Sequence, residues 1–351
     1  MYCMILLEKR IEAFVKLGLF LKKQLDVDYA CNAALMELCQ KAEAKNTWFT
    51  PENITKALNG ISFLLQKTDI ENWIQSYPFL NQQRASKRIA VVMAGNIPIV
   101  GFHDALTVLI SGNVLIAKLS SKDDVLLPWV LKQLCIIEPE FGSYIQYESN
   151  IIKEFDAVIA TGSNNSARYF DFYFKKYPSI IRKSRVSIGV LTGEETSDDY
   201  EKLADDIFSY FGLGCRNVSK LFIPENIDMV NVISHFDTYS KVCSHNKYLN
   251  NYDYNKSIYL LNQDNHFDNG YALFKEDVNL FSPIAVVYYE KYKEIRNLDE
   301  WLERNRANIQ CIVTNSKLLK SKTINFGESQ MPGVCDYADD VDTMSFLETL
   351  I

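Results

Sequence analysis

From residue 87 onward, short apolar stretches alternate with segments of helical periodicity, and this alternation constrains the fold more than any other feature. The predicted strands are at 89–93, 114–118, 157–160 and 187–191. The predicted helices between them are at 104–110, 122–134 and 163–174. A second set, with strands at 284–289 and 310–314 around a helix at 298–305, follows later in the chain. This order is typical of parallel α/β sheets covered by helices.

Residues 1–85 show helical periodicity without strands. Leu7, Ile11 and Phe14 share one face, and Thr50-Pro51 begins a further helix. We therefore predict an N-terminal helical region at 1–85 that packs on an α/β domain at 86–190. A second α/β domain follows at 191–325, and a C-terminal segment at 326–351 returns to the first domain or to a subunit interface.

The composition excludes several classes of function. The chain has 351 residues, a formal net charge of −7 and a pI of about 5.3, and no run of more than two basic residues. These values argue against nucleic-acid and anionic-membrane partners. The eight cysteines form no CxxC pair, which favours reduced thiols and no metal site. The apolar run 4–7 is too short for a signal peptide or a membrane span, so we expect a soluble cytoplasmic protein.

One cysteine, Cys215, stands in a turn between a predicted helix and a predicted strand. We expect Ser197 to cap the helix, Gly212 and Gly214 to end it, and residues 220–223 to form the strand. A rigidly held turn suits a nucleophile, although burial without reactivity is the commoner fate of a cysteine. Gly214 in front of Cys215 leaves room for a substrate carbonyl to approach the backbone N–H groups.

Three further turns follow predicted strands and carry polar residues at 94–98, 118–121 and 161–165. Open α/β sheets bind ligands at this edge. Gly162-Ser163 could hold a dinucleotide phosphate or simply cap a helix, and Lys118 could contact a cofactor or remain solvated. Asn96 could donate to an oxyanion or stabilise its own turn.

The neighbouring His103 and Asp104 invite an acid/base interpretation. Adjacent residues on a helix point apart, however, so we expect them to serve capping and packing.

Five segments occur in an order that resembles one known family: AGNIPIVGFHDAL, LIAKLSSKD, ATGSNNSARYF, FGLGCRNVSKLFIP and FGESQMPGVCDYADDVDTMSFL. They resemble the LuxC-type acyl-CoA reductases of the aldehyde dehydrogenase superfamily, from about Val91 to Leu347. The resemblance implies an aldehyde dehydrogenase-like α/β fold with two Rossmann-type domains, the first for a dinucleotide and the second for catalysis. It also implies NADPH-dependent reduction of a long-chain fatty acyl-CoA to the aldehyde.

The resemblance also implies roles for individual residues. Cys215 takes the place of the nucleophile and Asn96 that of the oxyanion asparagine. Lys118 matches the ribose-contacting lysine, and Phe281-Ser282-Pro283 resembles a nicotinamide-lining motif. The cofactor-binding residues implied in this way are Gly95, Lys118, Ser120, Ser121, Gly162, Ser163 and Phe281. Members of the family often work in complexes, so a homo-oligomer and an acyl-transferring partner protein are implied as well.

Three positions depart from the wider superfamily. Gly189 stands where hydrolytic relatives carry a glutamate base, which favours reduction over release of a free acid. Ser121-Lys122 replaces a carboxylate that binds the adenosine ribose, which favours NADPH over NADH. Asn279 replaces a ribose-binding glutamate. Two alternatives stay open: a reductase of an acyl phosphate or an acyl-carrier-protein thioester, and a catalytically silent scaffold with the same fold.

Overall fold

The computed structural model of the chain describes residues 5–82 and 84–350. The chain divides into two compact units. The first comprises Met1–Ser184 and Met331–Ile351, and the second comprises Arg185–Gln330. Each unit contains its own sheet.

Four helices open the first unit: α1 (Leu7–Leu25), α2 (Ala33–Lys45), α3 (Pro51–Leu64) and α4 (Lys67–Gln75). The Thr50 side chain accepts a hydrogen bond from the Asn53 N–H, and Pro51 occupies the first helical position, as the sequence predicted. The helices bury apolar faces, with Phe14 of α1 and Leu58 of α3 fully inaccessible to solvent. These faces form part of one core that also includes residues of the first sheet.

The first sheet consists of five parallel strands in the order β3-β2-β1-β4-β5. They are β1 (Arg88–Val92), β2 (Val114–Lys118), β3 (Ile145–Tyr147), β4 (Ala157–Thr161) and β5 (Ser179–Arg182). The helices between them are α5 (Phe102–Ile110), α6 (Leu126–Ile137) and α7 (Asn164–Phe174). Alternate residues face opposite sides, so Ile89 joins the core with the helical region whereas Ala90 lies in a smaller cluster with Phe170 of α7.

The second sheet has the order β11-β6-β7-β10-β9-β8, and its pairs are parallel except β8 with β9. Its strands are β6 (Val186–Val190), β7 (Val218–Pro224), β8 (His266–Asp268), β9 (Leu273–Glu276), β10 (Val286–Tyr292) and β11 (Ile309–Val313). Its helices are α8 (Ser197–Phe208), α9 (Met229–Ser234), α10 (Asn246–Asn262) and α11 (Ile295–Asn305).

The C-terminal segment of the first unit ends in helix α12 (Thr343–Glu348). Met344 of this helix belongs to the same core as α1 and α5. A buried ion pair lies at its start, where Arg182 Nη1 donates to Asp104 Oδ2 at 2.5 Å and Arg182 Nη2 donates to Thr343 Oγ1 at 2.9 Å. His103 Nε2 lies 2.8 Å from the Val334 carbonyl oxygen. His103 and Asp104 therefore have separate structural partners, in agreement with the packing role predicted for them.

Several predicted boundaries need correction. Strand β6 lies between β11 and β7, so the second unit begins at Arg185 and not after residue 190. Helix α6 begins at Leu126 and not at 122, because residues 120–123 form a turn. The helix predicted at 228–243 divides into α9 and a 3₁₀ segment at Asp237–Ser244.

Some elements escaped prediction altogether. Helix α10 is rich in asparagine and tyrosine, which are weak helix formers, and the residues that it buries include Tyr248 and Tyr252. Strands β3 and β5 are short edge strands without a continuous apolar run.

Candidate active site

The predicted ligand-binding turns of the first unit lie at one edge of its sheet. Val92 at the end of β1 is in register with Lys118 at the end of β2 and with Ala160 of β4. The turns that follow these three strands are therefore neighbours. Gly95 packs closely against Ser120, because a Cβ atom added to Gly95 would lie 2.7 Å from the Ser120 Cβ. The Gly95 carbonyl oxygen also accepts a hydrogen bond from Asn46 Nδ2 at 3.3 Å.

Asn96 is exposed in the turn after β1, and a buried carboxylate holds this turn. Ile99 has a left-handed backbone (φ 57°), and its N–H donates to Asp123 Oδ2 at 2.7 Å. Burial raises the pKa of Asp123 to about 6, although hydrogen bonds from the backbone of Ile99 and Leu126 oppose this shift. Asp123 thus ties the Asn96 turn to the start of α6. Sequence reasoning missed this role, although an aspartate just before a helix is a recognisable signal.

Lys118 and the two serines occupy the turn after β2. Lys118 Nζ donates to the carbonyl oxygens of Ser149 and Asn150, beyond the end of β3, the second at 3.0 Å. Ser120 Oγ accepts from the Lys122 N–H at 3.2 Å, and Ser121 is exposed. The side chain of Lys118 thus reaches a neighbouring turn at the same edge.

Gly162 and Ser163 form the turn that opens α7. The Ser163 side chain caps the helix by accepting a hydrogen bond from the Ser166 N–H at 3.3 Å. A Cβ atom on Gly162 would lie 2.8 Å from the Ser166 Cβ and 2.9 Å from Phe170 Cε2, so only glycine fits there. Ser163 and Asn164 are exposed. Ser163 therefore caps α7. The N-terminus of this helix can also bind an anionic group, because its N–H groups and dipole point towards solvent.

In the second unit, Cys215 lies in the turn between α8 and β7. Thr196 caps α8 together with Asp199 in a reciprocal pair, so the predicted cap at Ser197 is wrong by one residue. The helix ends at Phe208, earlier than the glycines suggested. Tyr210 and Phe211 then adopt left-handed backbone angles, with φ of 52° and 59°. Such angles are strained for residues other than glycine, so surrounding contacts must hold this turn.

Hydrogen bonds fix the backbone on both sides of the partly buried Cys215. Ser187 Oγ donates to the Cys215 carbonyl oxygen at 3.0 Å. The Gly214 N–H donates to Asn217 Oδ1 at 2.8 Å, and the Asn217 N–H donates to the Gly214 carbonyl oxygen at 3.1 Å. Sequence reasoning missed Asn217 and Ser187. An asparagine two residues beyond a candidate nucleophile was the available signal, since asparagine side chains commonly stabilise turns.

A second buried carboxylate links α8 to the segment FGESQ at 326–330. Asp206 is fully buried, and it accepts hydrogen bonds from the Gly327 N–H at 2.6 Å and the Ser329 N–H at 3.0 Å. Burial raises its pKa to about 6, against the opposing effect of these hydrogen bonds. The helix that precedes the Cys215 turn is thereby joined to the last of the five recognised motifs within the second unit.

Phe281 is 44% exposed in the loop between β9 and β10. Residues of β7 hold the preceding backbone, because Ser219 Oγ donates to the Leu280 carbonyl oxygen at 3.0 Å and Lys220 Nζ to that of Asp277 at 3.0 Å. Asn279 Nδ2 donates to Asp277 Oδ1 at 2.9 Å within the same loop. Lys220 was missed because its neighbours made 220–223 look like a purely apolar strand.

Gly189 on β6 leaves little room for a side chain. A Cβ atom at this buried position would lie 2.6 Å from Leu221 Cδ2, so any side chain there requires Leu221 to shift. The nearby Glu195 accepts hydrogen bonds from the N–H groups of Thr192 and Gly193, at 2.6 and 2.9 Å. Its carboxylate is therefore engaged in its own turn.

Residues 5–82 and 84–350, which the structure describes, contain neither a cluster of metal-ligating side chains nor a membrane-spanning helix. In that part of the chain, His, Cys, Asp and Glu form no group of three or more that could hold a metal ion. Within the same residues, every helix is too short or too polar to cross a bilayer.

The contact between Gly95 and Ser120 yields a mutational test. Gly95→Ala should lower the free energy of unfolding by about 1–3 kcal/mol, because the new methyl group overlaps Ser120. Ser120→Gly in the same chain removes the overlapping atoms and should recover most of this loss. Urea unfolding of wild type, both single variants and the double variant measures the coupling. Simple additivity of the two single effects would contradict the predicted contact.

Asp206 yields a pH test. Its folded-state pKa of about 6 lies above its ordinary value of 3.8. The folded state therefore binds this proton more tightly than the unfolded state, and the resulting stability is full below pH 4 and lost as the pH rises through about 6. Relative to Asp206→Asn, wild type should lose about 3 kcal/mol between these limits. Urea unfolding at intervals of pH measures the difference, and parallel profiles for the two proteins would disprove it.

Comparisons with known proteins agree with the resemblance seen in the sequence. The family described as Acyl-CoA reductase (LuxC) matches residues 19–236. The match begins inside α1, so it includes most of the helical region, which lies before the segments that carry the resemblance. The search of curated proteins yields no match.

Solved structures share the fold at low sequence identity. Aldehyde dehydrogenase 21 from Physcomitrella patens, in complex with its reaction product succinate, is 14% identical with a TM-score of 0.63, over 90% of this chain and 75% of that one. The aldehyde dehydrogenase of Mycobacterium tuberculosis complexed with NAD+ is 9% identical with a TM-score of 0.65, over 92% and 77%. The NAD+ complex of aldehyde dehydrogenase from Bacillus cereus is 12% identical with a TM-score of 0.60, over 90% and 73%.

These structural matches confirm the predicted α/β fold class, and at such identities they establish the fold alone. The family match, which spans more than half of the chain, confirms the predicted family. The chain belongs to the LuxC family of acyl-CoA reductases and has the aldehyde dehydrogenase fold.

Proposed function

We propose that this protein reduces a long-chain fatty acyl-CoA to the fatty aldehyde with NADPH, through a thioester on Cys215. The observation that carries the proposal is the Cys215 turn, whose backbone is fixed by Ser187 and Asn217 within a chain of the acyl-CoA reductase family. A nucleophile needs such fixed geometry, because misplacement by about 1 Å can slow a reaction about a hundredfold. Both the long fatty chain and coenzyme A as the acyl donor belong to the proposal.

The edge of the first sheet fits a dinucleotide. Its features are the exposed N-terminus of α7 behind Gly162-Ser163, the close approach of Gly95 to Ser120, and the lysine at the end of β2. The similar aldehyde dehydrogenase structures from Mycobacterium tuberculosis and Bacillus cereus contain NAD+, which supports a nicotinamide cofactor here. We assign Gly95, Lys118, Ser120, Ser121, Gly162 and Ser163 to its binding, with Phe281 near the nicotinamide. The bound cofactor would supply the hydride for reduction.

The charges near Ser121 support NADPH. Ser121 and Lys122 are both exposed, and the next two carboxylates are engaged elsewhere. Asp123 is buried against the Ile99 N–H, and Asp124 pairs with Lys45 at 2.5 Å. A 2′-phosphate near Ser121 would therefore meet a lysine and a hydroxyl in place of a ribose-binding carboxylate.

In the proposed first step, the Cys215 thiolate attacks the thioester carbonyl carbon. The new bond to Sγ forms as the bond to the coenzyme A sulfur breaks, and coenzyme A takes up the proton that the Cys215 thiol has lost. We assign the Asn96 amide and the Cys215 backbone N–H to the developing oxyanion, on the match of Asn96 to the family motif. In the second step the acyl carbon is reduced, the Sγ–C bond breaks, and a proton from solvent restores the thiol.

The surroundings of β6 favour reduction over hydrolysis. Gly189 is packed against Leu221, and Glu195 is bound to its own turn, so neither position supplies a base on this strand. An acyl-enzyme that lacks a base to activate water hydrolyses slowly. The thioester can then persist until it is reduced.

Mass spectrometry tests the thioester directly. Incubation with palmitoyl-CoA and no cofactor should add one palmitoyl group to wild type on Cys215, and none to Cys215→Ala. Cys243→Ala is the matched control, because Cys243 is also partly buried in the second unit, and it should be acylated normally. An unmodified Cys215 in wild type would contradict the proposal. Acylation by an acyl phosphate or an acyl-carrier-protein thioester, but not by palmitoyl-CoA, would favour that alternative donor.

Cofactor preference can be tested at Ser121. Ser121→Asp should reduce kcat/KM with NADPH by at least about tenfold relative to NADH, because the new carboxylate repels the 2′-phosphate. Ser121→Asn is the control, since it has the same shape without the charge, and it should retain the preference for NADPH. Steady-state kinetics with both cofactors decide the matter, and equal kcat/KM values for wild type would contradict the predicted preference.

A further inference from the structure

We infer that Asn217 and the first residues of β7, which follows it, serve the two steps through different side chains: Asn217 positions Cys215 for acylation, and Ser219 with Lys220 positions the Phe281 loop for reduction. The inference rests on the proposed function, because it assigns residues to the two steps described above. All of these residues lie in the second unit. They are positioning residues, since they act through the backbone of the groups that react.

Asn217 binds the turn from both ends. It is 2% exposed, and its Nδ2 donates to the carbonyl oxygens of Ser209 at 2.7 Å and of Asp206 and Ile207 at 3.2 Å each. Its Oδ1 accepts from the Gly214 N–H at 2.8 Å. One amide therefore joins the carbonyl groups at the end of α8 to the residue that precedes Cys215.

This arrangement requires a side chain that donates and accepts at once. The last carbonyl groups of a helix have no partner within the helix, and those of α8 find one in Asn217. The left-handed residues Tyr210 and Phe211 lie between the two ends that Asn217 holds. Without the amide, this strained turn can relax, and Cys215 would move with it.

Lys220 holds the loop that precedes Phe281. Its side chain is completely buried, and Nζ donates to Glu290 Oε2 at 2.7 Å and to the carbonyl oxygens of Asp277 and Asn279 at 3.0 and 3.4 Å. These contacts use the three N–H groups of an ammonium ion. A buried ammonium without such partners is highly unfavourable, so Lys220 constrains the loop strongly.

Ser219 adds the third backbone contact, since its Oγ donates to the Leu280 carbonyl oxygen. Phe281 itself is 44% exposed, so packing of its side chain constrains it only in part. The hydrogen bonds to the backbone at 277, 279 and 280 hold the residues that precede it. The position of Phe281 thus depends on β7, the strand that follows Cys215.

The first experiment measures acylation alone. Wild type, Asn217→Ala and Asn217→Asp are mixed with palmitoyl-CoA without cofactor, and the acyl-enzyme is followed by quenching and mass spectrometry. Acylation should slow by about a hundredfold in Asn217→Ala. Asn255→Ala is the matched control, because Asn255 is also buried and donates to two carbonyl oxygens in this unit, and its acylation rate should stay near that of wild type.

The pH profile of Asn217→Asp separates positioning from general stability. A carboxylate at 217 can accept from the Gly214 N–H but cannot donate to the Ser209 carbonyl oxygen, whereas a protonated carboxyl can do both. The acylation rate of Asn217→Asp, relative to wild type at the same pH, should therefore recover as the pH falls. Asn217→Ala should show no recovery, and if that variant fails to fold, the profile of Asn217→Asp still decides.

The second experiment starts from preformed acyl-enzyme and measures aldehyde formation after NADPH is added. Lys220→Met and Ser219→Ala should still form the acyl-enzyme, but reduction should slow by about tenfold and the KM for NADPH should rise. Lys256→Met is the control, because Lys256 also forms an ion pair in this unit, with Asp268 at 2.7 Å, and its partners Asp268 and Tyr252 lie outside the Phe281 loop.

The outcomes distinguish the inference from the proposed function. Slow acylation in the Asn217 variants together with slow reduction in the Lys220 and Ser219 variants supports the inference. Equal slowing of both steps in every folded variant overturns it, as does an unchanged acylation rate in folded Asn217→Ala. Absence of an acyl-enzyme in wild type overturns the proposed function itself, and with it the assignment of steps.

Discussion

The Cys215 turn depends on the amide of Asn217, which joins the end of α8 to Gly214. Helix ends expose carbonyl groups that need partners, and a glycine beyond the helix commonly allows the backbone itself to satisfy them. In this chain, residues other than glycine adopt left-handed angles at Tyr210 and Phe211, and a side chain from beyond the turn supplies the hydrogen bonds. The left-handed turn and the Asn217 amide belong together, because strained backbone angles persist only where surrounding contacts hold them.

Each unit also uses a buried carboxylate to hold a recognised motif. Asp123 accepts from the backbone of Ile99 and Leu126, and Asp206 accepts from that of Gly327 and Ser329. A carboxylate suits this task because it accepts several hydrogen bonds and donates none when ionised. Its cost is desolvation, which raises the pKa of both groups to about 6. The motifs are therefore held by charged groups close to their titration range.

The sequence allowed prediction of elements whose signal is local. Helix α3 begins at its Thr50-Pro51 signal, and Lys118 ends a strand as expected. The family followed from five ordered motifs. What escaped prediction depends on partners distant in the chain: Lys220 looked like part of an apolar strand until Glu290 and Asp277 supplied its partners. Strand β6 was assigned to the first domain because sequence order cannot show that it pairs with β11.

Gly189 of β6 has no side chain that could act as a base, and the packing of this strand leaves little room for one. Gly189 faces Leu221 on the adjacent strand, and a Cβ atom would already approach it to 2.6 Å. A glutamate at this position would require Leu221 or β7 to shift. β7 carries the contacts to the Phe281 loop and directly follows Asn217, which holds the residue before Cys215. Close strand packing and the lack of a base are therefore linked. One substitution at Gly189 would disturb the packing between β6 and β7, which agrees with the proposal that the Cys215 thioester ends in reduction.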